Sequence, residues 1–243
     1  MFERPHHRRI AEVLAALDAG LLANTRCLFG GGTAIALRHD EYRESVDMDF
    51  LVSDIEGYRQ LRQLLTSTQG LSALAREGAV IHQAGELRAD QYGIRSTVRV
   101  DDSYIKFEIV LEARIELEVS GAGDRIEGIA TLTSLDMVTS KLLANSDRWA
   151  DDSVFSRDII DLAMMNPGRP LLRRAIAKAS AVYGDSIEAD LAKAAHALLT
   201  REGRMARCMA ALQMTPGVSP ALLRQRIKSL LPRAPKAKAQ PTA

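Results

Sequence analysis

The chain has little sulfur and no long apolar run. Its two cysteines, Cys27 and Cys208, lie far apart without metal-ligand spacing, so the pattern is neither a disulfide framework nor a zinc ribbon. Free thiols in a reducing cytoplasm are the expectation. The longest apolar runs are far too short to span a bilayer, and the opening "MFERPHHRRIAEV" lacks the apolar core of a signal peptide. Both features predict a cytoplasmic protein with no membrane partner. Five scattered histidines form no H-E-x-x-H and no Cys/His cluster, which leaves no zinc-enzyme signature. There is no G-x-S-x-G, which argues against an α/β-hydrolase. No internal repeat is present.

What is there is an ordinary globular composition, 47% hydrophobic and 26% charged, with enough chain for one large domain or two modest ones. The formal net charge of +1 conceals an asymmetry. From Arg201 to the end, nine Lys/Arg face one acid, Glu202, leaving that segment at +8 and the remainder at −7. A basic end suits a polyanion such as RNA, or an acidic protein. A solvated, partly disordered tail is the competing account, above all for "PRAPKAKAQPTA".

Apolar residues at 10, 13, 14 and 17 predict an opening helix. "RCLF" predicts a short strand, "TAIALRH" a helix, "VDMDFLV" a buried strand and "IEGYRQLRQLLTST" a helix. A β-rich stretch follows, with "AVIH", "YGIRSTVRV", a turn at Asp101-Asp102, "YIKFEIVLEA" and "RIELEV". From "TSLDMVTSKLLANSDRW" onward the pattern is almost wholly helical, with Thr133 or Ser134 as a cap and Pro167-Gly168 as a stop. The expected boundary lies in "SGAGDRIEG", residues 120–128. The architecture is an α/β domain followed by a helical one.

The chemistry concentrates in "LFGGGTAIALRHDEYRESVDMDF", residues 28–50. Strand, glycines and helix bring backbone N–H groups against a phosphate. The stretch is no P-loop, since no Lys-Ser/Thr follows, and Thr33-Ala34-Ile35 break the G-x-G-x-x-G pattern. It also lacks the companion motifs of a protein kinase. In a strand, residues i and i+2 share a face, so Asp47 and Asp49 project together while Val46, Met48 and Phe50 turn to the core. A divalent cation removes the repulsion of such a pair, and hard oxygen ligands suit Mg²⁺. Salt bridges to Arg43 and Arg38 are the alternative account. Alternation in "YIKFEIVLEARI" puts Glu108 mid-strand on the face of Lys106, with Glu112 as its competitor for a third carboxylate. Lys141, Asn145 and Arg148 share one helix face, a stripe that solvent exposure would equally explain. Arg157, Asp158 and Asp161 open a helix, where exposed ion pairs and dipole-favoured acids explain them as well. Trp149 reads as a core or seam anchor.

A glycine pair opening a helix, D-x-D on the next strand and a later strand carboxylate resemble the nucleotidyltransferase fold shared with DNA polymerase beta. "FGGGTAIAL…RESVDMDF" is similar to the G-G-T-x-x-A-L…R-x-S-x-D-x-D-F signature of the AbiEii/AbiGii-type toxin nucleotidyltransferases. "KFEIVLEARI", "SKLLANSDRW" and "RDIIDL" resemble that family's following motifs in the same order. The resemblance covers residues 28–163. It implies an α+β class, a polymerase-beta-like core with a mixed sheet followed by a mostly helical C-terminal domain. It says little about residues 170–243; taken with the composition, the expected division is a nucleotidyltransferase core over 1–125, a helical domain over 126–230 completing the cleft, and a basic, disordered tail over 231–243. Gly31, Gly32 and Thr33 are expected to hold the triphosphate, with Arg43, Ser45, Asn145 and Arg148 beside it. Asp47, Asp49 and Glu108 are expected to bind two Mg²⁺ ions, with glutamate standing at 108 where the family has aspartate. Lys141 is expected to reach the nucleotide phosphates, and Asp158 to steer that lysine or the acceptor. The implied reaction transfers NMP from an NTP to a hydroxyl, with pyrophosphate release. The implied partners are tRNA or another RNA and a cognate antitoxin. A nucleotide- or RNA-binding module without turnover, or a transferase acting on a protein or small molecule, remains as an alternative.

Overall fold

The computed structural model describes residues 2–231. Residues 232–243, which make up nearly all of the expected tail, lie outside them. Helix α1 (Pro5–Ala16) buries His7, Ile10, Val13 and Leu14 on one face. Its spacing is that of an amphipathic helix, and Pro5 starts it where a missing N–H costs nothing. Helix α2 (Ala19–Asn24) is capped by Asp18, and strand β1 (Leu28–Gly30) runs directly into α3 (Gly31–Arg38). Strand β2 (Met48–Val52) leads through an Asp54 cap into α4 (Ile55–Leu65). Two short strands, β3 (His82–Gln83) and β4 (Arg88–Ala89), precede the long hairpin of β5 (Gly93–Val100) and β6 (Ser103–Leu111).

The sheet runs in the order β1-β2-β6-β5-β3, with β4 also pairing β5. It is mixed: β2 lies parallel to β6, and the other pairings are antiparallel. Register sets Gly30 opposite Asp49, and Asp49 opposite Glu108. Beneath this row, Phe29, Phe50 and Phe107 form a column with successive ring centroids 5.2 Å apart. Each such pair adds about 0.5–1.5 kcal/mol beyond area burial. The alternation that buries these rings turns Asp49 and Glu108 to the other face.

A small hairpin, β7 (Arg125–Ile126) with β8 (Ile129–Ala130), falls where the boundary was expected. It is tied to the sheet edge by the Leu132 N–H donating to the Phe29 carbonyl at 3.0 Å. Helices follow: α5 (Ser134–Arg148), α6 (Arg157–Met165), α7 (Arg169–Tyr183), α8 (Ser186–Thr200), α9 (Arg204–Ala211) and α10 (Pro220–Leu230). Thr133, rather than Ser134, caps α5. This is an α+β fold with a mixed sheet followed by a mostly helical part.

Three expectations need correction. "RIELEV" forms no strand, because its backbone donors are taken by side chains: Leu117 N–H by Ser53 Oγ at 3.0 Å and Glu118 N–H by Asp136 Oδ2 at 2.6 Å. "AVIH" is extended only from His82. Val46 is 49% exposed, since β2 begins at Met48 and residue 46 lies before the alternation starts.

Candidate active site

The glycines of the opening stretch are fixed by their neighbours. Gly31 has φ +66°, which favours glycine, and a Cβ there would strike the Asp49 carboxylate. A Cβ on Gly32 would strike the Arg43 guanidinium. Backbone therefore approaches both an acid and a base at the start of α3. Thr33 is buried; its hydroxyl donates to the Asp47 carbonyl at 2.5 Å and lies 2.8 Å from Ser45 Oγ. Thr33 thus holds the 45–47 loop rather than facing the cleft. The same loop is held from below: buried His7 Nε2 accepts the Ser45 N–H at 3.1 Å, while Nδ1 lies 2.7 Å from Glu41.

A polar cleft of about 220 Å³ opens over this row of strands. It brings together Gly31, Gly32, Arg43, Ser45, Asp47 and Asp49 from one stretch, Glu108 from β6, and Lys141 and Arg148 from α5. Thr33, Asn145 and Asp158 do not line it. Asn145 is buried, and its Nδ2 has no partner among the described residues. Sequence reasoning did not place Lys106, Ser140 or Arg157 in the cleft, yet all three line it. The shared face of Lys106 and Glu108 was the available signal for the first.

The cationic wall rests on two buried aspartates. Lys141 Nζ donates to Asp158 Oδ1 at 2.9 Å and lies 2.6 Å from Asp161 Oδ2. Arg148 grips Asp158 through Nε at 2.6 Å and a second nitrogen at 2.9 Å. Arg43 grips Asp161 in the same forked way, at 2.7 and 2.9 Å, and the Tyr42 hydroxyl donates to Asp161 at 2.5 Å. Burial alone would push both carboxyl pKa values up. At Asp158 the charge of Lys141 and the Arg148 hydrogen bond outweigh it, holding that carboxyl well below the usual range, and at Asp161 the charges of Arg43 and Lys141 lower it as well. Three cations over two anions leave this wall positive. Solvated-face and exposed-acid accounts are thereby corrected: Lys141, Asp158 and Asp161 are all buried. Burial with full pairing replaces water there.

The acidic wall faces it. Arg43 is committed to Asp161, and Arg38 to Asp124 at 3.0 Å, so neither neutralises the D-x-D pair. Neither Asp47 nor Asp49 has an ion-pair partner or side-chain donor among the described residues. Burial first, and the charge of Asp47 second, push the Asp49 carboxyl up. A hard divalent cation fits this uncompensated pair. Glu108 is differently placed: its oxygens take Arg95 Nε at 2.7 Å and Lys106 Nζ at 2.6 Å. No three His, Cys, Asp or Glu side chains converge as a metal cluster among the described residues. Glu112 is turned away, buried and gripped by Arg114 at 2.7 and 2.9 Å. Trp149 is partly buried against the core, with Lys193 Nζ 5.4 Å from its ring centroid.

Backbone and cations on one side, with paired carboxylates on the other, suit a nucleotide polyphosphate, and the class so defined is the nucleotidyltransferases. The family model for the nucleotidyl transferase AbiEii toxin of type IV toxin–antitoxin systems matches residues 13–236, and the chain belongs to that family. The chain is therefore a nucleotidyltransferase, of a family whose setting implies a nucleotide substrate, a divalent metal and a cognate antitoxin. No curated protein matches it in sequence. Among solved structures it is similar to MenT4, a nucleotidyltransferase toxin of Mycobacterium tuberculosis H37Rv, at 16% identity and TM-score 0.49, covering 93% of this chain and 81% of that one. It is also similar to JHP933 from Helicobacter pylori, at 17% identity and TM-score 0.44, covering 95% of each chain. Among the described residues no helix is long and apolar enough to cross a membrane.

Proposed function

We propose that the protein transfers NMP from an NTP to the hydroxyl of an RNA acceptor, with tRNA as the expected substrate, and that it requires Mg²⁺. The observation that carries this reading is the unpaired Asp47–Asp49 couple beside Gly31, facing Lys141 across one cleft. In the reaction the acceptor oxygen bonds to the α-phosphorus, the bond from that phosphorus to the bridging oxygen breaks, and the hydroxyl proton is lost as pyrophosphate leaves. Bound Mg²⁺ would lower the hydroxyl pKa and neutralise phosphate charge. Asp47 and Asp49 would hold it, with two ions the expected number, and Glu108 would join them on leaving Lys106 and Arg95.

The chain's own cations do the rest. Gly31 and Gly32 let the phosphates approach backbone N–H groups at the start of α3. Lys141, fixed by Asp158 and Asp161, presents charge to the leaving group, and Arg43, Ser45 and Arg148 line its path. Asp158 acts through Lys141 and Arg148 rather than on substrate, and Thr33 acts through the 45–47 loop. The division into a core over 1–125 and a helical part over 126–230 belongs to this reading, with the cleft between them.

The test is incubation of wild type and Asp49→Asn with each α-³²P-labelled NTP, Mg²⁺ and total bacterial RNA. Label on a tRNA-sized band with wild type, reduced on the order of 10²–10³-fold in the variant, is expected. Label on protein or a small molecule would refute the RNA acceptor. No label with any acceptor would refute transfer at this cleft.

A further inference from the structure

A second basic pocket, of about 430 Å³, lies at the start of α9 and shares no lining residue with the catalytic cleft. Three arginines one turn apart surround the exposed Asp152, and Glu202 also lines the pocket. Arg201 and Arg207 each approach its carboxylate only to 3.9 Å, and Arg204 pairs with it closely. Arg204 lines this pocket although it is only 4% exposed; a second guanidinium nitrogen donates to Ser156 Oγ at 3.1 Å, and its Nε has no acceptor among the described residues. Helix α9 follows Gly203, φ +67°, with no side-chain cap; the Arg204 N–H goes to the Arg201 carbonyl at 3.3 Å, and the helix dipole favours an anion at this end. Two carboxylates, Asp152 and Glu202, against three guanidinium groups leave the pocket one positive charge in excess.

Its position ties it to the cleft. Ser156, which Arg204 holds, is followed by Arg157, which lines the catalytic cleft and has no ion-pair partner among the described residues. Cations therefore continue from the cleft wall to the pocket, a track that suits a chain of phosphates better than one isolated anion.

We infer that Arg201, Arg204 and Arg207, with the N-terminus of α9, bind a backbone phosphate of the RNA acceptor while its reactive hydroxyl lies in the catalytic cleft. Asp152 occupies part of this site in the free protein and competes with that phosphate. The inference rests on the RNA-acceptor reading above.

The experiment uses full-length protein and a fluorescein-labelled single-stranded RNA with a free 3′ hydroxyl. Anisotropy is followed across a salt series, and label transfer from α-³²P NTP is measured in parallel. Arg201→Gln/Arg207→Gln is the informative variant, because both side chains are 59% exposed and carry none of the core. With the one phosphate contact weakened or lost, the slope of log K against log salt should flatten by up to about 0.7. Asp152→Asn should bind the RNA more tightly than wild type. An unchanged slope in the double variant, with wild type still labelling RNA, overturns the subsite and leaves the acceptor reading intact. Wild type that neither binds nor labels RNA overturns both. RNA binding untouched while capture of the co-expressed antitoxin is lost assigns the surface to a protein and also overturns the inference.

Discussion

Asp49 sits where the fold and the reaction pull in opposite directions. It is pushed up by burial and by Asp47, so without metal its ionisation opposes folding. A carboxyl whose folded pKa exceeds its unfolded value of 3.8 adds stability below that value and loses it as pH rises through the folded one. At neutral pH, therefore, Asp49→Asn should raise the metal-free melting temperature while lowering transfer on the order of 10²–10³-fold. Mg²⁺ should raise the melting temperature of wild type and leave that of Asp47→Asn/Asp49→Asn unmoved, measured by differential scanning fluorimetry. A Mg²⁺ shift that survives the double substitution would place the ion elsewhere. At this scale the sequence was informative where spacing decides geometry: Gly31, Gly32, Asp47, Asp49, Glu108 and Lys141 all reach one cleft. It was silent on Lys106 and Arg95 holding Glu108, because cross-strand register cannot be counted from one strand's alternation.

Elements matter through what they hold. Helix α1 contributes no cleft residue, yet His7 fastens the 45–47 loop by accepting the Ser45 N–H. Burial lowers the His7 pKa from 6.5, and only part of that is opposed by Glu41, with Glu44 also raising it and Arg4 lowering it. The unfolded chain therefore takes up its proton first as pH falls, and stability drops below about pH 6.5 as imidazolium loses its acceptor nitrogen. His7→Gln, which keeps an acceptor for Ser45 and a donor for Glu41, should flatten this slope in urea unfolding between pH 7 and 5. An unaltered slope would show that another group carries it. Periodicity revealed α1 but not this tether, since helical spacing places His7 on the buried face without naming its partner. Long elements with clean patterns, β5, β6 and α5 among them, were legible for the same reason. "RIELEV" was not, because its alternation is satisfied by side-chain acceptors instead of a neighbouring strand.

In the whole molecule, Asp161 is the junction. It gathers Tyr42 and Arg43 from the stretch before β2, Lys141 from α5 and its own helix α6. Removing its charge leaves two buried cations under-compensated, which costs about 3–5 kcal/mol. Asp161→Asn should lower the melting temperature by roughly 10 °C and weaken transfer as Lys141 loses its anchor. Both carboxyl pKa values at this junction are depressed, so its contribution is present above about pH 4 and lost as pH falls through the folded values. A drop of a degree or two in Asp161→Asn would mean that packing, not this network, joins the parts. The junction was hidden in the sequence because Tyr42 and Arg43 lie more than a hundred residues before Asp161. "RDIIDL" reads equally well as a solvated helix start until Arg43 is seen beneath it.

Nucleotidyl transfer at this cleft is tested most directly by position-specific labelling of the NTP. Parallel reactions with α-³²P and γ-³²P nucleotide, Mg²⁺ and total RNA should put α label on the acceptor and release γ label only as pyrophosphate. Label on the acceptor from the γ position would instead make the protein a kinase and contradict the account.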